Sequence, residues 1–175
     1  MILAPDTIRE LGILSPCRDN EKLFGVSRGL SHAGYDLSLD GHVVVPSKGL
    51  TLAAAQELFT MPDDLVGVVH DKSTWARIGL TVQNTVVEPG WRGYLTLELV
   101  NHTNIAIALP NGVGIAQVVF HRMERPSSRP YNGKYQDQPS GPQRAKFEDG
   151  NTVLDRVTQE STGSRARRST EKVGV

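Results

Sequence analysis

The chain of 175 residues carries 19 Lys and Arg against 19 Asp and Glu, a formal net charge of zero. That balance excludes a global field that would draw the protein to nucleic acid or an anionic membrane, so any anion site has to be built locally. A chain of this size buries about two-thirds of its unfolded surface, and the expectation is one domain followed by a polar tail. Cys17 is the single cysteine, which rules out an internal disulfide and points to a reducing compartment. Pro16-Cys17 has no second cysteine after it, so a cysteine-based zinc site is excluded. His32, His42, His70, His102 and His121 form no i, i+4 pair and no His-x-His, and no metal cluster is expected. No apolar run approaches the ~20 residues of a membrane span. The N-terminus "MILAPDTIRE" lacks a basic region followed by an apolar stretch, and the expected location is the cytoplasm.

In chain order, residues 5 to 12, "PDTIRELG", place Pro near the start, acids early and Gly at the end, the pattern of a short helix. From 35 to about 122 the pattern is β: "YDLSL", "HVVV", "LTLAA", "ELFT", "LVGVVH", "LTVQNTVV", "YLTLELV", "IAIAL" and "GIAQVVF". Between these runs lie the turn signals "DGH", "PSKG", "MPDD", "EPGWRG", "NHTN" and "PNG". The expected fold is all-β and mainly antiparallel, a distorted barrel or sandwich. "NTVVEPGWRGYLTLE", 84 to 98, is built like a β-hairpin around a Pro-Gly turn. One segment breaks the rhythm. "DKSTWARIG", 71 to 79, has a candidate Asp cap and a closing Gly, which predicts one helical turn near 72 to 78. Free backbone donors there, with Lys72, Ser73 and Arg77, suit either an anion site or a plain solvated connector.

After Phe120 the composition turns to Pro, Ser, Gly and Gln. The expected organisation is a β domain over 1–122, an arm over 123–147 and a disordered polar tail over 148–175. Arg165, Arg167 and Arg168 in that tail are read as solvated charges, and no nucleic-acid partner is expected.

In "YLTLEL" strict alternation puts Tyr94, Thr96 and Glu98 on one face and Leu95, Leu97 and Leu99 on the other. Glu98 therefore belongs to a polar or cavity face. Glu88 lies just before the Pro-Gly turn, and Ser73 and Arg77 lie upstream. Ser, Arg and Glu without a histidine do not make a serine-hydrolase triad. They suit a site where a glutamate moves protons, a serine orients a water and an arginine fixes negative charge.

These residues carry a resemblance. "KSTWARIGLTVQNTVVEPGWRGYLTLELVN" (72 to 101), with "GYDLSL" before it and "GIAQVVF" and "RPYNGKYQDQ" after it, resembles the dCTP deaminase branch of the trimeric dUTPase superfamily over about residues 1 to 145. The resemblance implies a β-clip, jelly-roll-like barrel, a homotrimer with active sites shared between subunits, and an arm that closes over bound nucleotide. It implies metal-independent hydrolytic deamination of dCTP to dUTP, with Glu98, Ser73 and Arg77 catalytic. It implies nucleotide contacts at Lys72, Thr74, Trp75, Ala76, Glu88, Thr96, Leu97, Gln117, Tyr131, Lys134 and Gln138, with Glu88 near the deoxyribose 3′-hydroxyl. Magnesium would arrive with the triphosphate and need not touch the protein, and no zinc is implied. Lys72, Arg77, Arg92, Arg129 and Lys134 supply the local cations that a triphosphate needs in a neutral chain.

The sequence departs from that pattern at "QNTVVE", which is shorter than the usual family spacing and puts Val86 and Val87 where family members usually have Ala, often followed by Gly or His, after the threonine matched by Thr85. Glu88 stands in place of an aspartate. Altered pyrimidine selectivity stays open, as do a bifunctional enzyme releasing dUMP, a dUTP diphosphatase and a non-catalytic nucleotide-binding trimer.

Overall fold

The computed structural model describes residues 1–147; Met1–Gln143 form one compact unit. The expected tail over 148–175, with Arg165, Arg167 and Arg168, lies outside the described residues. The elements in chain order are α1 (Pro5–Glu10), β1 (Leu14–Ser15), β2 (Glu21–Leu23), β3 (Val26–Ser31), β4 (Gly34–Ser38), β5 (Val43–Val45) and β6 (Leu50–Thr60). They continue as β7 (Leu65–Asp71), α2 (Ser73–Ala76), β8 (Leu80–Val82), β9 (Val86–Val87), β10 (Arg92–Asn101), β11 (Ile107–Leu109) and β12 (Gly114–Arg122). The expected antiparallel β fold with a short N-terminal helix and one helical turn is what forms.

α1 begins at Pro5 and turns Ile8 fully into the core. It ends at Glu10, short of the expected residue 12, because Gly12 takes the left-handed conformation that stops a helix (φ +62°).

Two larger sheets and one ribbon make the body. One sheet runs β1-β6-β10-β8, the other β2-β3-β4-β12-β7-β9, and β11 pairs with β5. All named pairs are antiparallel. Between the sheets lie Tyr35, Leu37, Leu39, Phe59, Leu65, Leu97, Leu99, Val118 and Phe120, all essentially inaccessible. Phe59 sits with its ring centroid 5.8 Å from Trp91 and 6.5 Å from Phe120.

Four expectations change. β1, β2 and β3 precede the first strand expected from the sequence; they are short and punctuated by Gly25 and Gly29, both at positive φ, which hides their alternation. "LTLAA" and "ELFT" are one strand, β6, which pairs with β10 on both sides of a register shift: Ala54 with Thr96 before it and Leu58 with Tyr94 after it. "LTVQNTVV" splits: β8 pairs with β10 while β9 pairs with β7. "EPGWRG" is therefore not a hairpin turn. It carries the chain from one sheet to the other, so Glu88, just past the end of β9, and Glu98, within β10, belong to different sides of the crossing. Gly90 permits this crossing: its φ is +77°, and a Cβ there would lie 2.6 Å from Pro130 Cβ and 3.0 Å from Asp63 Oδ1.

Candidate active site

The site begins at α2, a single turn with four side-chain pins around it. Asp71 is not its cap. The α2 N-cap position is Lys72, with extended backbone and no side-chain cap bond, and the Asp71 carboxylate instead accepts the Val82 N–H of β8 at 2.6 Å. Lys72 Nζ donates to Asp36 Oδ2 at 2.5 Å and to Ser27 Oγ at 2.9 Å. The Trp75 indole N–H donates to the Gly114 carbonyl at 2.7 Å, and its ring packs on the core. The connector held this way leaves Ser73, Thr74, Ala76 and Arg77 exposed. A free first turn with an arginine one residue past its end is suited to an anion.

Glu98 stands on β10, the next strand beyond β8. Leu97 and Leu99 point into the core at 1% and 0% exposure, so Glu98 faces the other way, as alternation predicts. Leu95 also packs on the core but is only half-buried, at the point where β10 changes register against β6 between Tyr94 and Thr96. The Glu98 carbonyl accepts the Gln83 N–H at 3.0 Å, which ties the strand to the start of the 83–85 loop. Its Oε2 is sealed from solvent with no hydrogen-bond partner among the described residues. Burial pushes its carboxyl above the ordinary 4.5, opposed in part by a backbone hydrogen bond.

The segment after β12 lies along the start of β10. Gln138 is 6% exposed, and its side-chain amide donates to the Tyr94 carbonyl at 2.7 Å and to Thr96 Oγ1 at 2.9 Å. The Tyr94 N–H donates to the Gln138 carbonyl at 3.0 Å, and the Gln143 N–H donates to Thr96 Oγ1 at 3.0 Å. The main-chain groups freed by the register change of β10 are thereby met by the arm. Arg92 pairs with Asp137 at 2.8 Å, and the Trp91 indole N–H donates to the Tyr135 carbonyl at 2.7 Å. Lys134 lies 5.5 Å from the Tyr135 ring centre.

Glu88 is exposed and borders a groove of about 530 Å³ with Val66, Met123, Ser127, Arg129 and Tyr131. Of the residues expected from sequence, the structure joins Thr96 to Gln138, puts Glu88 and Tyr131 on one groove, and holds Ser73, Thr74, Ala76 and Arg77 on one turn. Leu97 turns its side chain into the core, so only its main chain is open to a ligand. Lys72 and Gln117 are already engaged: Gln117 Nε2 donates to Ser31 Oγ at 2.9 Å and lies 3.4 Å from Asp36 Oδ1. Asp36, Ser27 and Gln143 were missed. The signal for Asp36 was a charge in the middle of "GYDLS", a strand buried on both faces.

A family model described as dCTP deaminase-like matches residues 27–123. A dCTP deaminase of Thermococcus sibiricus is 36% identical over 151 residues, covering 78% of this chain and 92% of that relative. The chain belongs to the dCTP deaminase-like family. A dCTP deaminase of Helicobacter pylori is 39% identical over 106 residues, 59% of this chain and 56% of that relative. Among solved structures, the Agrobacterium tumefaciens 2′-deoxycytidine 5′-triphosphate deaminase superposes with TM-score 0.57 at 18% identity, covering 69% of this chain and 47% of that one. The EIAV dUTPase does so with TM-score 0.52 at 21% identity, covering 69% and 96%. At such identities the structures speak for the fold alone, which this chain shares with the dUTPase and deaminase structures. For this member of the dCTP deaminase-like family, membership makes it an enzyme of nucleotide metabolism, and the α2 turn and the Glu98 face are its candidate machinery.

Proposed function

We propose that the protein converts dCTP and water to dUTP and ammonia. The observation that carries the proposal is Glu98: a carboxyl on the outer face of β10 with one oxygen sealed from solvent and unpartnered, raised by burial toward the range where a carboxyl exchanges protons near neutrality. In the ionised form it takes a proton from a water whose oxygen adds to C4 of cytosine. It passes that proton to N3, then carries the second proton of the added water, now on the C4 hydroxyl, to the amino group, which leaves as ammonia, and the water oxygen remains as the C4 carbonyl oxygen of uracil. Ser73 orients the water and the base, and Arg77 meets negative charge at the exposed α2 turn. Glu88 and Tyr131 take the sugar, with Lys134 toward the triphosphate and the arm over 123–147 closing on it. No group of three or more His, Cys, Asp or Glu among the described residues is arranged to hold a metal. A magnesium travelling with the triphosphate would take its ligands from phosphate and water.

Three copies sharing their sites suit the same face. Cross-strand neighbours project to one side, and Glu98 pairs with half-exposed Leu52, Val100 with Leu50. Leu50 is 56% exposed. An assembly that covers these side chains removes water from Glu98 as well.

The test is incubation of the purified protein with magnesium and each deoxynucleoside triphosphate, followed by chromatography of the products. Appearance of dUTP supports deamination. Appearance of dUMP and diphosphate from dCTP identifies a bifunctional enzyme, and hydrolysis of dUTP alone overturns the deaminase assignment, as does binding without turnover. Glu98→Gln is expected to abolish deamination while triphosphate affinity stays within several-fold. Unchanged turnover in that variant removes Glu98 from the role of proton shuttle.

A further inference from the structure

We infer that Asp36 is a positioning residue for the α2 turn, acting through Lys72; the inference rests on the reading of Ser73 and Arg77 as site residues. Asp36 is 3% exposed on β4. Its Oδ2 receives Lys72 Nζ at 2.5 Å and Ser27 Oγ at 2.8 Å, and its Oδ1 lies 3.4 Å from Gln117 Nε2. The lysine is largely enclosed as well, with side-chain exposures of 12% and 4% for Lys72 and Asp36. Lys72 is the residue on which α2 starts, because the N–H groups of Trp75 and Ala76 donate to its carbonyl at 3.0 and 3.1 Å. The charge pair therefore joins the floor made by β3, β4 and β12 directly to the first residue of the connector.

α2 has a single turn, too short to hold itself by its own hydrogen bonds. Its placement is decided by its tethers. The Asp71 and Trp75 bonds fix the connector's flanks to β8 and β12, whereas the Lys72–Asp36 pair sets the depth at which the turn begins. Replacing Asp36 by a neutral residue strands a buried ammonium, which lowers its energy by moving toward water. That movement carries Ser73 with it, since the two are adjacent in the chain. A buried pair of this kind also explains how a neutral protein keeps an exposed Arg77 beside a lysine: the lysine is neutralised from below and Arg77 faces out alone on this turn.

Amide hydrogen exchange on the intact protein tests the inference directly. In Asp36→Asn, exchange at the Trp75, Ala76 and Arg77 amides is expected to accelerate while the β6 and β10 amides keep their wild-type rates. The double variant Asp36→Asn/Lys72→Met, which removes both charges, is expected to return α2 exchange most of the way to wild type. kcat/KM for dCTP is expected to fall ~10²-fold in the single variant, the scale of a misplaced contact in a site, and to recover in part in the double. Should Asp36→Asn not fold, Ser27→Ala removes the neutral hydroxyl that bonds both members of the pair and is expected to give a smaller acceleration confined to α2. Acceleration spread evenly over the strands, or none in α2, overturns the inference. Absence of pyrimidine turnover in the wild-type protein overturns the functional proposal instead, and the exchange pattern still decides the role of Asp36.

Discussion

Glu98 and Glu57 are both pushed above the ordinary carboxyl value of 4.5, chiefly by burial, yet their surroundings separate their roles. Glu57 is fully buried, and both its oxygens accept the Ser38 N–H, at 3.2 and 3.0 Å, with the Tyr35 hydroxyl 3.4 Å away. It is a structural acceptor closed off from any ligand. Glu98 has an unpartnered oxygen and a half-open face. For Glu57 the sign follows from the upward shift: its contribution to stability is fully present below pH 4.5 and is lost as pH rises through the higher folded-state value. The thermal midpoint of the wild-type protein is therefore expected to fall on passing from pH 4.5 toward neutrality more steeply than that of Glu57→Gln, which keeps an acceptor oxygen but no charge. Equal slopes in the two proteins, measured by calorimetry across that range, would contradict the burial argument. For Glu98 the same direction acts on rate. The ionised form accepts the proton, so the acid limb of kcat/KM is expected to lie above pH 4.5. Alternation in "YLTLEL" made the Glu98 face legible from sequence. The enclosure of Glu57 was not, because "LTLAAAQELFT" is apolar on both faces and gives no inward side. The Lys72–Asp36 pair was hidden for another reason: its partners are 36 positions apart, and only the β4–β12–β7 register brings them together.

At the scale of elements, the arm and the β10 register change explain one another. A strand that slips against β6 at Tyr94 leaves main-chain groups that must find partners, and Gln138 supplies both a carbonyl and an amide to them. Gln138→Ala deletes two side-chain hydrogen bonds and leaves Thr96 Oγ1 and the Tyr94 carbonyl less satisfied, an expected cost of about 1–3 kcal/mol. That cost should appear locally. Limited proteolysis is expected to cut the segment 131–143 faster in the variant, with the strands of the barrel cleaved no sooner than in wild type. Protection of the arm equal to wild type would show that its other contacts, from Trp91 and Arg92, hold it without Gln138. The sequence made most strands visible, and the α2 turn with them. It misled at "EPGWRG", where a Pro-Gly turn between two β runs has the look of a hairpin. What decides against it is tertiary: β9 finds its partner in β7, and Trp91 is drawn under Phe59, so the chain leaves one sheet for the other at that turn. The "QNTVVE" segment is consumed by the same crossing. Val87 is buried, Val86 is exposed, and Thr85 accepts the Val69 N–H at 3.0 Å, which leaves Gln83 and Asn84 as the exposed part of the loop nearest the Glu98 strand.

For the whole molecule, a neutral chain cannot rely on a charged surface to keep copies apart, and the face bearing Glu98 is the one that gains from a cover. Leu50 projects there at more than half exposure, in register with Val100 and two positions from Leu52 opposite Glu98. Leu50→Asp is a test of assembly that leaves the fold alone, because an exposed side chain at the start of β6 contributes little to the core. In the wild-type protein, light scattering is expected to give a mass of three chains of 19.1 kDa each. In Leu50→Asp the mass is expected to drop to one chain, with the far-ultraviolet circular dichroism of the wild type and deamination reduced by ~10²-fold or more, the scale of losing positioned groups from a site. A wild-type protein that is monomeric at micromolar concentration yet fully active would refute the shared site. A trimeric Leu50→Asp variant with normal activity would move the interface to another face and leave Glu98 to be desolvated by the arm and substrate alone.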